Sequence, residues 1–215
     1  MKTLQPIKAT LVENRYYFYC YFLCFLAGLV ILLGLGKAAS FIDLNPLHGS
    51  ALDTVFICLT FLGDGRFAIL ICVVYLLMRR WSRACQLISA FLGSALIAQI
   101  LKYAFSMPRP KQFFPVGQYS YFIDGVTHVG FASFPSGHTT SVFALATLLA
   151  VFDNNKKGNV LYLFGAVAVG YSRIYLGQHF LLDVLAGSVV GTITALFFHW
   201  LFSTRLRSVR AFARD

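Results

Sequence analysis

Long runs of apolar residues, separated by short polar segments, dominate this 215-residue sequence. An α-helix needs about 20 apolar residues to cross the hydrocarbon core of a bilayer, where its backbone groups must be paired within the segment itself. Hydrophobic residues make up 58% of the chain and charged residues only 12%, about half of the charged share in soluble domains. The sequence therefore predicts an all-α, polytopic membrane protein and excludes an ordinary soluble domain or a disordered chain.

Six apolar segments predict six transmembrane helices. They cover residues 17–36, 66–79, 84–106, 137–152, 159–176 and 180–203. The second is short, and it either extends backward or is helped by the semi-apolar stretch 51–62, which could lie along the membrane interface. We interpret the first as a permanent anchor, because its apolar core is too long for a signal peptide and no clean cleavage site follows it. With no internal repeat or soluble segment, we expect one domain over residues 1–215.

The cations between the apolar segments predict the orientation, because cytoplasmic loops are enriched in Lys and Arg. Twelve lie on the side that holds both chain ends: Lys2, Lys8, Arg15, Arg79, Arg80, Arg83, Lys156, Lys157, Arg205, Arg207, Arg210 and Arg214. Six lie on the other side: Lys37, Arg66, Lys102, Arg109, Lys111 and Arg173. We therefore expect both termini in the cytoplasm.

The formal net charge of +10 points to an anionic partner. A basic helix interleaved with base-stacking aromatic residues is missing from the sequence, so nucleic acid is not expected. An anionic membrane surface or an anionic substrate fits the cations better. The five cysteines have no CxxC spacing and lie in or beside apolar stretches, which is typical of small buried residues rather than of a metal site or disulfide framework.

Six ionisable residues are predicted to lie near the outer face. Any one of them could be a side chain that reaches for the membrane interface, but six on one face are typical of a functional site. They are Lys102, Arg109, His138, Arg173, His179 and Asp183.

The local sequence favours an anion site among these residues. Pro108 and Pro110 stop the third segment and let Arg109 fold back toward Lys102. Ser136 is a candidate N-cap for the fourth segment, and Gly137 allows close approach to the free N–H groups of that helix end.

His179 and Asp183 are spaced i,i+4, so they share one helix face. A carboxylate there can fix the tautomer of the imidazole and leave the other ring nitrogen as a nucleophile. Three cations and a helix N-terminus suit an oxyanion with several charges, as in phosphoryl transfer. The sequence contains no carboxylate cluster suited to Mg²⁺ and no His/Cys set suited to Zn²⁺.

Three motifs carry a family resemblance. They are Lys102-x6-Arg109-Pro110, Pro135-Ser136-Gly137-His138 and Ser172-Arg173-x5-His179-x3-Asp183. In order and spacing they resemble the signature of the type 2 phosphatidic acid phosphatases, the PAP2 family, whose phosphate site is similar to that of vanadium haloperoxidases and bacterial acid phosphatases. The motifs span residues 102–183, and the six-segment layout extends the resemblance over most of the chain.

The resemblance implies a role for each residue. His179 would attack phosphorus and form a phosphohistidine, Asp183 would orient it, and His138 would protonate the leaving oxygen and then activate water. The residues implied to hold the phosphate are Lys102, Arg109, Ser136, Gly137 and Arg173. The resemblance implies neither a metal nor another cofactor.

We therefore expect an integral membrane lipid phosphatase with its site on the extracytoplasmic face. Lipid A, undecaprenyl diphosphate and phosphatidylglycerol phosphate are substrates of similar proteins, and the sequence does not choose among them. A lipid phosphotransferase is one alternative, and a transporter or anion-binding membrane protein without chemistry is another. The compact chain without an N-x-S/T sequon favours a bacterial inner membrane.

Several other features have simpler interpretations. Asp64 and Arg66 predict a turn with a surface ion pair, with contact to a substrate headgroup as an alternative. Gly187 and Gly191 predict close helix packing, with dimerisation as an alternative. The loop 107–134 is rich in aromatic residues, which could anchor it at the interface or form a rim around the substrate.

Overall fold

A computed structural model of the chain describes residues 5–212, and it describes side chains within residues 7–204. The regular structure of the described residues is entirely helical, which confirms the all-α prediction. The helices are α1 Gln5–Glu13, α2 Arg15–Asp43, α3 Ser50–Thr60, α4 Gly65–Leu77, α5 Trp81–Phe105, α6 Pro110–Phe113, α7 Gly137–Phe152, α8 Val160–Tyr175 and α9 Leu181–Phe212. A 3-10 turn, Phe61–Gly63, joins α3 to α4.

Each of the six predicted segments contains a helix, but not every helix has the length of a membrane span. Three stretches of the described chain are long and apolar enough to cross a bilayer: Arg15–Asp43, Trp81–Phe113 and Leu181–Thr204. Helices α7 and α8 are apolar but have 16 residues each, which gives about 24 Å at 1.5 Å per residue. That six helices cross the membrane therefore stays a prediction.

The short second segment forms α4, and the semi-apolar stretch 51–62 directly precedes it; both alternatives proposed for this stretch stay open. Stretch 51–62 forms most of α3 and the 3-10 turn, which meet α4 at a bend of 52°. The two helices together have the apolar length of one span, so the pair is either a broken span or a re-entrant loop. The bend places the residues 60–64 at the end of the bundle where α7 begins, because Gly63 lies against His138.

Helix α7 is the centre of the bundle. It packs against α5, α8 and α9, and most of its side chains are buried. Its apolar side chains join two clusters, one with α8 and Tyr17 of α2 and the other with α4, α5 and α9. The central position of α7 explains why its apolar side chains, between residues 142 and 152, are buried on more than one face of the helix.

The two ends of the bundle differ in chemistry. At the end where α7 stops, Lys156 Nζ donates a hydrogen bond to Asn14 Oδ1 at 3.0 Å and to the Val151 carbonyl at 3.1 Å. The start of α2 therefore lies at the opposite end from the start of α7. Among the predicted cytoplasmic cations, Lys2 and Arg214 lie outside the described residues. So do the side chains of Arg205, Arg207 and Arg210.

Glycines on α9 allow it to lie close to α7. A Cβ atom at Gly187 would stand 2.8 Å from the Ser136 carbonyl oxygen, and one at Gly191 would collide with the Thr140 carbonyl. Because these neighbours are backbone atoms, they cannot rotate away. The packing role predicted for this GxxxG pair is confirmed.

We expect Gly191→Ala to lower the thermal unfolding midpoint in detergent by several degrees, because the added methyl group must push α7 and α9 apart. Gly165→Ala on α8 is the matched control, since a Cβ there meets nothing within 4 Å. The control should hold or raise the midpoint, because alanine favours a helix by about 1 kcal/mol over glycine. Equal midpoints for both variants would contradict the close-packing role.

Candidate active site

The structure brings the predicted site residues together at one end of the bundle. Lys102 lies in the last turn of α5, Gly137 and His138 open α7, and Arg173 lies in the last turn of α8. Arg109 follows α5 in the loop, and His179 lies in the turn before α9. A Cβ at Gly137 would stand 3.6 Å from Lys102 Nζ, so the glycine keeps the space between the lysine and the start of α7 open.

The Asp183 carboxylate is fully buried and organises the turn around His179. Its Oδ2 accepts hydrogen bonds from the Ser133 hydroxyl at 2.5 Å and from the Phe180 amide at 2.9 Å. His179 Nδ1 lies 3.6 Å from the same oxygen. Nδ1 therefore faces the carboxylate just beyond hydrogen-bond range, which leaves Nε2 as the nitrogen available for chemistry.

Burial sets the protonation state of His179. The side chain is 2% exposed. Desolvation lowers the pKa of His179 to about 4, while the nearby Asp183 carboxylate opposes this shift. The imidazole is therefore neutral at neutral pH, which is the form a nucleophile requires.

Ser136 connects α7 to α9. Its hydroxyl accepts hydrogen bonds from the Thr139 amide at 3.4 Å and from the Thr139 hydroxyl at 2.9 Å, so it caps α7 as predicted. Its own amide donates to the Asp183 carbonyl at 3.0 Å. Contact between Ser136 and a phosphate stays a prediction.

The two arginines are held by residues that the sequence did not single out. Arg173 Nη1 donates to the Thr60 hydroxyl at 2.6 Å, and Arg109 Nη1 donates to Gln178 Oε1 at 2.6 Å. The Nε of Arg173 is buried and has no hydrogen-bond partner in the described part of the chain. Gln178 also donates to the Val126 carbonyl, so it ties Arg109 to the long loop. These contacts fix both guanidinium groups before any ligand binds.

A cavity of about 200 Å³ lies beside His138 and Lys102. Its walls come from the 3-10 turn, α4, α5 and α7. The lining residues are Gly63, Asp64, Gly65, Phe91, Ala95, Ala98, Gln99, Lys102, Gly137, His138 and Ser141. Within residues 5–212, no group of three or more His, Cys, Asp and Glu side chains could hold a metal ion.

The long loop contributes a buried aromatic layer next to the site. Phe114 is 6% exposed, and its ring centroid lies 6.0 Å from that of Phe180, the residue after His179. Phe41 on α2 packs on the same ring at 5.5 Å. Other loop residues such as Tyr121 and Phe131 are exposed. The loop therefore supports the turn that carries His179.

The remaining histidines lie in different surroundings. His48 stacks on Tyr121 with ring centroids 4.3 Å apart, and His128 is exposed. His199 Nδ1 lies 2.9 Å from Gln86 Oε1, a partner that the sequence did not reveal.

Residues 83–207 match the PAP2 superfamily. The chain belongs to the PAP2 superfamily. The matched region contains α5 from its third residue, α6 to α8 and most of α9, and with them every predicted site residue. Residues 60–64, which pack against the PAP2 motif residues, lie outside it.

Relatives within the superfamily act on phosphorylated lipids according to their names. The chain is 32% identical over 162 residues to the undecaprenyl-diphosphatase BcrC of Bacillus subtilis, covering 74% of this chain and 79% of that protein. It is 36% identical over 98 residues to a lipid A 1-phosphatase of Rhizobium etli, covering 46% and 41%. The crystal structure of Aquifex aeolicus LpxE superposes with a TM-score of 0.67 at 27% identity, covering 75% of this chain and 93% of that one. The chain is thus a membrane phosphatase of the PAP2 type.

We expect Thr60→Val to weaken the binding of inorganic phosphate to the PAP2 site about tenfold. Losing a hydrogen bond to a charged group costs about 1.5 kcal/mol, and here the loss frees the Arg173 guanidinium. Thr60→Ser keeps the acceptor oxygen and should bind as the wild type does. Binding can be measured by competition in detergent. Equal weakening by valine and serine would assign Thr60 to packing instead.

Proposed function

We propose that this protein is an integral membrane lipid phosphatase that hydrolyses a lipid phosphomonoester or diphosphate through a phosphohistidine intermediate. The observation that carries the proposal is the buried His179–Asp183 pair beside three cations and the open start of α7. Mere anion binding would need the cations alone. A nucleophilic imidazole facing a carboxylate, with a second histidine in the neighbouring helix, supports group transfer.

In the proposed complex, the phosphate oxygens lie among Lys102, Arg109 and Arg173. Gly137 lets them approach the free N–H groups at the start of α7, whose positive end favours an anion. Because Thr60 and Gln178 already hold the arginines, little reorganisation is needed when charge builds up on the transferring group.

In the first proposed step, Nε2 of His179 attacks phosphorus. The Nε2–P bond forms, the P–O bond to the lipid breaks, and the leaving oxygen takes a proton from His138. Asp183 stabilises the imidazole while it carries the phosphoryl group. In the second step water attacks phosphorus, His138 accepts its proton, and the N–P bond breaks. Inorganic phosphate is released and both histidines return to their starting states.

A lipid phosphate is the proposed substrate because the cavity beside His138 and Lys102 is also lined by Phe91, Ala95 and Ala98 of the apolar helix α5. The named relatives suggest undecaprenyl diphosphate and lipid A, and phosphatidylglycerol phosphate has the same chemistry at the phosphate. A lipid phosphotransferase would share the first step and pass the phosphoryl group to a lipid hydroxyl instead of water. We propose no protein partner.

The test is phosphate release by the purified protein in detergent with EDTA. The panel consists of undecaprenyl diphosphate, lipid A, phosphatidylglycerol phosphate and phosphatidic acid. We expect release from at least one lipid and a loss of at least a thousandfold in His179→Ala, because the nucleophile is gone. His128→Ala is the control, since this histidine is exposed in the loop.

Each outcome is informative. Wild-type activity in His179→Ala would contradict the phosphohistidine mechanism, and activity that needs an added divalent ion would contradict a metal-free reaction. A phosphorylated lipid product in place of free phosphate would identify the phosphotransferase. Saturable lipid binding without any turnover would favour a transporter.

We also propose a bacterial inner-membrane location, with both termini in the cytoplasm and the site facing the periplasm. The cation asymmetry supports the orientation, and the site lies at the opposite end of the bundle from the start of α2. A C-terminal reporter that is active only in the cytoplasm should be active, and one that needs export should be silent. The reverse pattern would place the chemistry in the cytoplasm.

A further inference from the structure

We propose that Asp64 is a positioning residue for His138, and that it supplies the negative charge opposite this histidine while His138 carries a proton. This inference rests on the proposed function, because it concerns the acid and base role of His138. Asp64 lies at the junction of the 3-10 turn and α4, outside residues 83–207 that match the superfamily.

The backbone around Gly63 brings Asp64 to the site. Gly63 is buried, and a Cβ there would stand 2.9 Å from the His138 carbonyl oxygen and 3.0 Å from its Cβ. Only a residue without a side chain lets the turn lie this close to the start of α7. The next residue is Asp64, and it lines the same cavity as His138 and Lys102.

The charges around His138 create a need for this carboxylate. The charged and titratable groups that face it are Lys102 from α5, Arg173 from α8, His179 from the turn before α9, and Asp64. Both Lys102 and Arg173 are positive. Positive neighbours and burial disfavour an imidazolium, which is the form His138 needs when it protonates the leaving oxygen. Asp64 is the acidic member of the set, since Asp183 is engaged by Ser133 and the Phe180 amide.

The ion pair with Arg66 does not cancel this effect. Asp64 Oδ1 accepts from Arg66 Nε at 3.1 Å and Oδ2 accepts from Arg66 Nη2 at 3.2 Å. The Arg66 side chain is 76% exposed, while that of Asp64 is 28% exposed. Solvent screens the exposed guanidinium, so it offsets only part of the negative charge of the carboxylate. Asp64 and His138 line the same cavity together with the apolar residues Phe91, Ala95 and Ala98, so their charges are screened less than those of fully exposed groups.

The variant Asp64→Asn isolates the charge. Asp64 caps α4 by accepting a hydrogen bond from the Arg66 amide at 2.8 Å, and asparagine caps a helix equally well. The fold should therefore persist, which a thermal unfolding midpoint near that of the wild type would verify. Arg66→Gln is the matched control, because it breaks the same ion pair and keeps the carboxylate.

The experiment follows the proton on His138 by NMR of protein labelled with ¹⁵N-histidine in detergent, with and without inorganic phosphate. His138→Gln assigns the signal among the five histidines. We expect His138 to lose its proton at a pH about one unit lower in Asp64→Asn than in the wild type. This shift is at the lower end of the range that a nearby opposite charge produces. In Arg66→Gln, His138 should lose its proton at the same pH as in the wild type or at a higher one.

Turnover gives a second readout on whichever lipid the panel identifies. In Asp64→Asn, the alkaline limb of the pH profile of kcat should move to lower pH, while the acidic limb should not move. The KM should stay within twofold of the wild-type value. Coincident His138 titrations of Asp64→Asn and wild type, in both phosphate conditions, would overturn the role of Asp64. Failure of the wild type to hydrolyse any lipid would overturn the proposed function instead, and the NMR titration would still decide the inference.

Discussion

The buried Asp183 residue is the interaction on which the arrangement of the site depends. Its carboxylate accepts from Ser133 in the long loop and from the Phe180 amide, and it faces His179. Its main-chain carbonyl accepts from the Ser136 amide at the start of α7. One residue thus connects the loop, α7 and the turn between α8 and α9. A buried carboxylate is costly unless it is paired and hydrogen-bonded, so these elements must come together around it.

Close packing of α7 and α9 makes that arrangement possible. The backbone approach at Gly187 and Gly191 places the N-terminal ends of both helices side by side. Asp183 lies in the first turn of α9, where the positive helix end stabilises an acidic residue. The start of α7 has no acidic residue in its first turn. The positive end of α7 is therefore not neutralised by a carboxylate of its own and can attract the proposed phosphate.

The cations at this end of the bundle outnumber the buried carboxylates near them. Lys102, Arg109 and Arg173 converge near a single buried carboxylate, Asp183. Thr60 and Gln178 are neutral, so they orient the guanidinium groups without neutralising them. The site therefore retains a positive charge that an anion can offset, and the energy of binding that anion is available for catalysis.

The sequence alone was sufficient for the features that depend on neighbours along the chain. The apolar segment 137–152 and helix α7 coincide, because an N-cap serine and a polar stop bound the helix locally. The proximity of His179 to Asp183 and the family motifs followed from spacing in the same way. The shared helix face was wrong, because α9 begins at Leu181 and His179 lies in the turn before it. Family membership was therefore predictable, and the match over residues 83–207 confirmed it.

Only the tertiary structure revealed the partners that hold these groups in place. Thr60 lies 113 residues from Arg173, Ser133 lies 50 from Asp183, and Gln178 lies 69 from Arg109. Hydroxyl and amide side chains are common and carry no sequence signal for such distant contacts. The direction of the bend between α3 and α4 was equally hidden, because a turn predicted at Asp64 and Arg66 does not show how the two flanking helices lie in the bundle. The sequence determined which chemical groups the site contains, and helix packing decided which of them touch, because contacts between distant segments depend on how the helices meet.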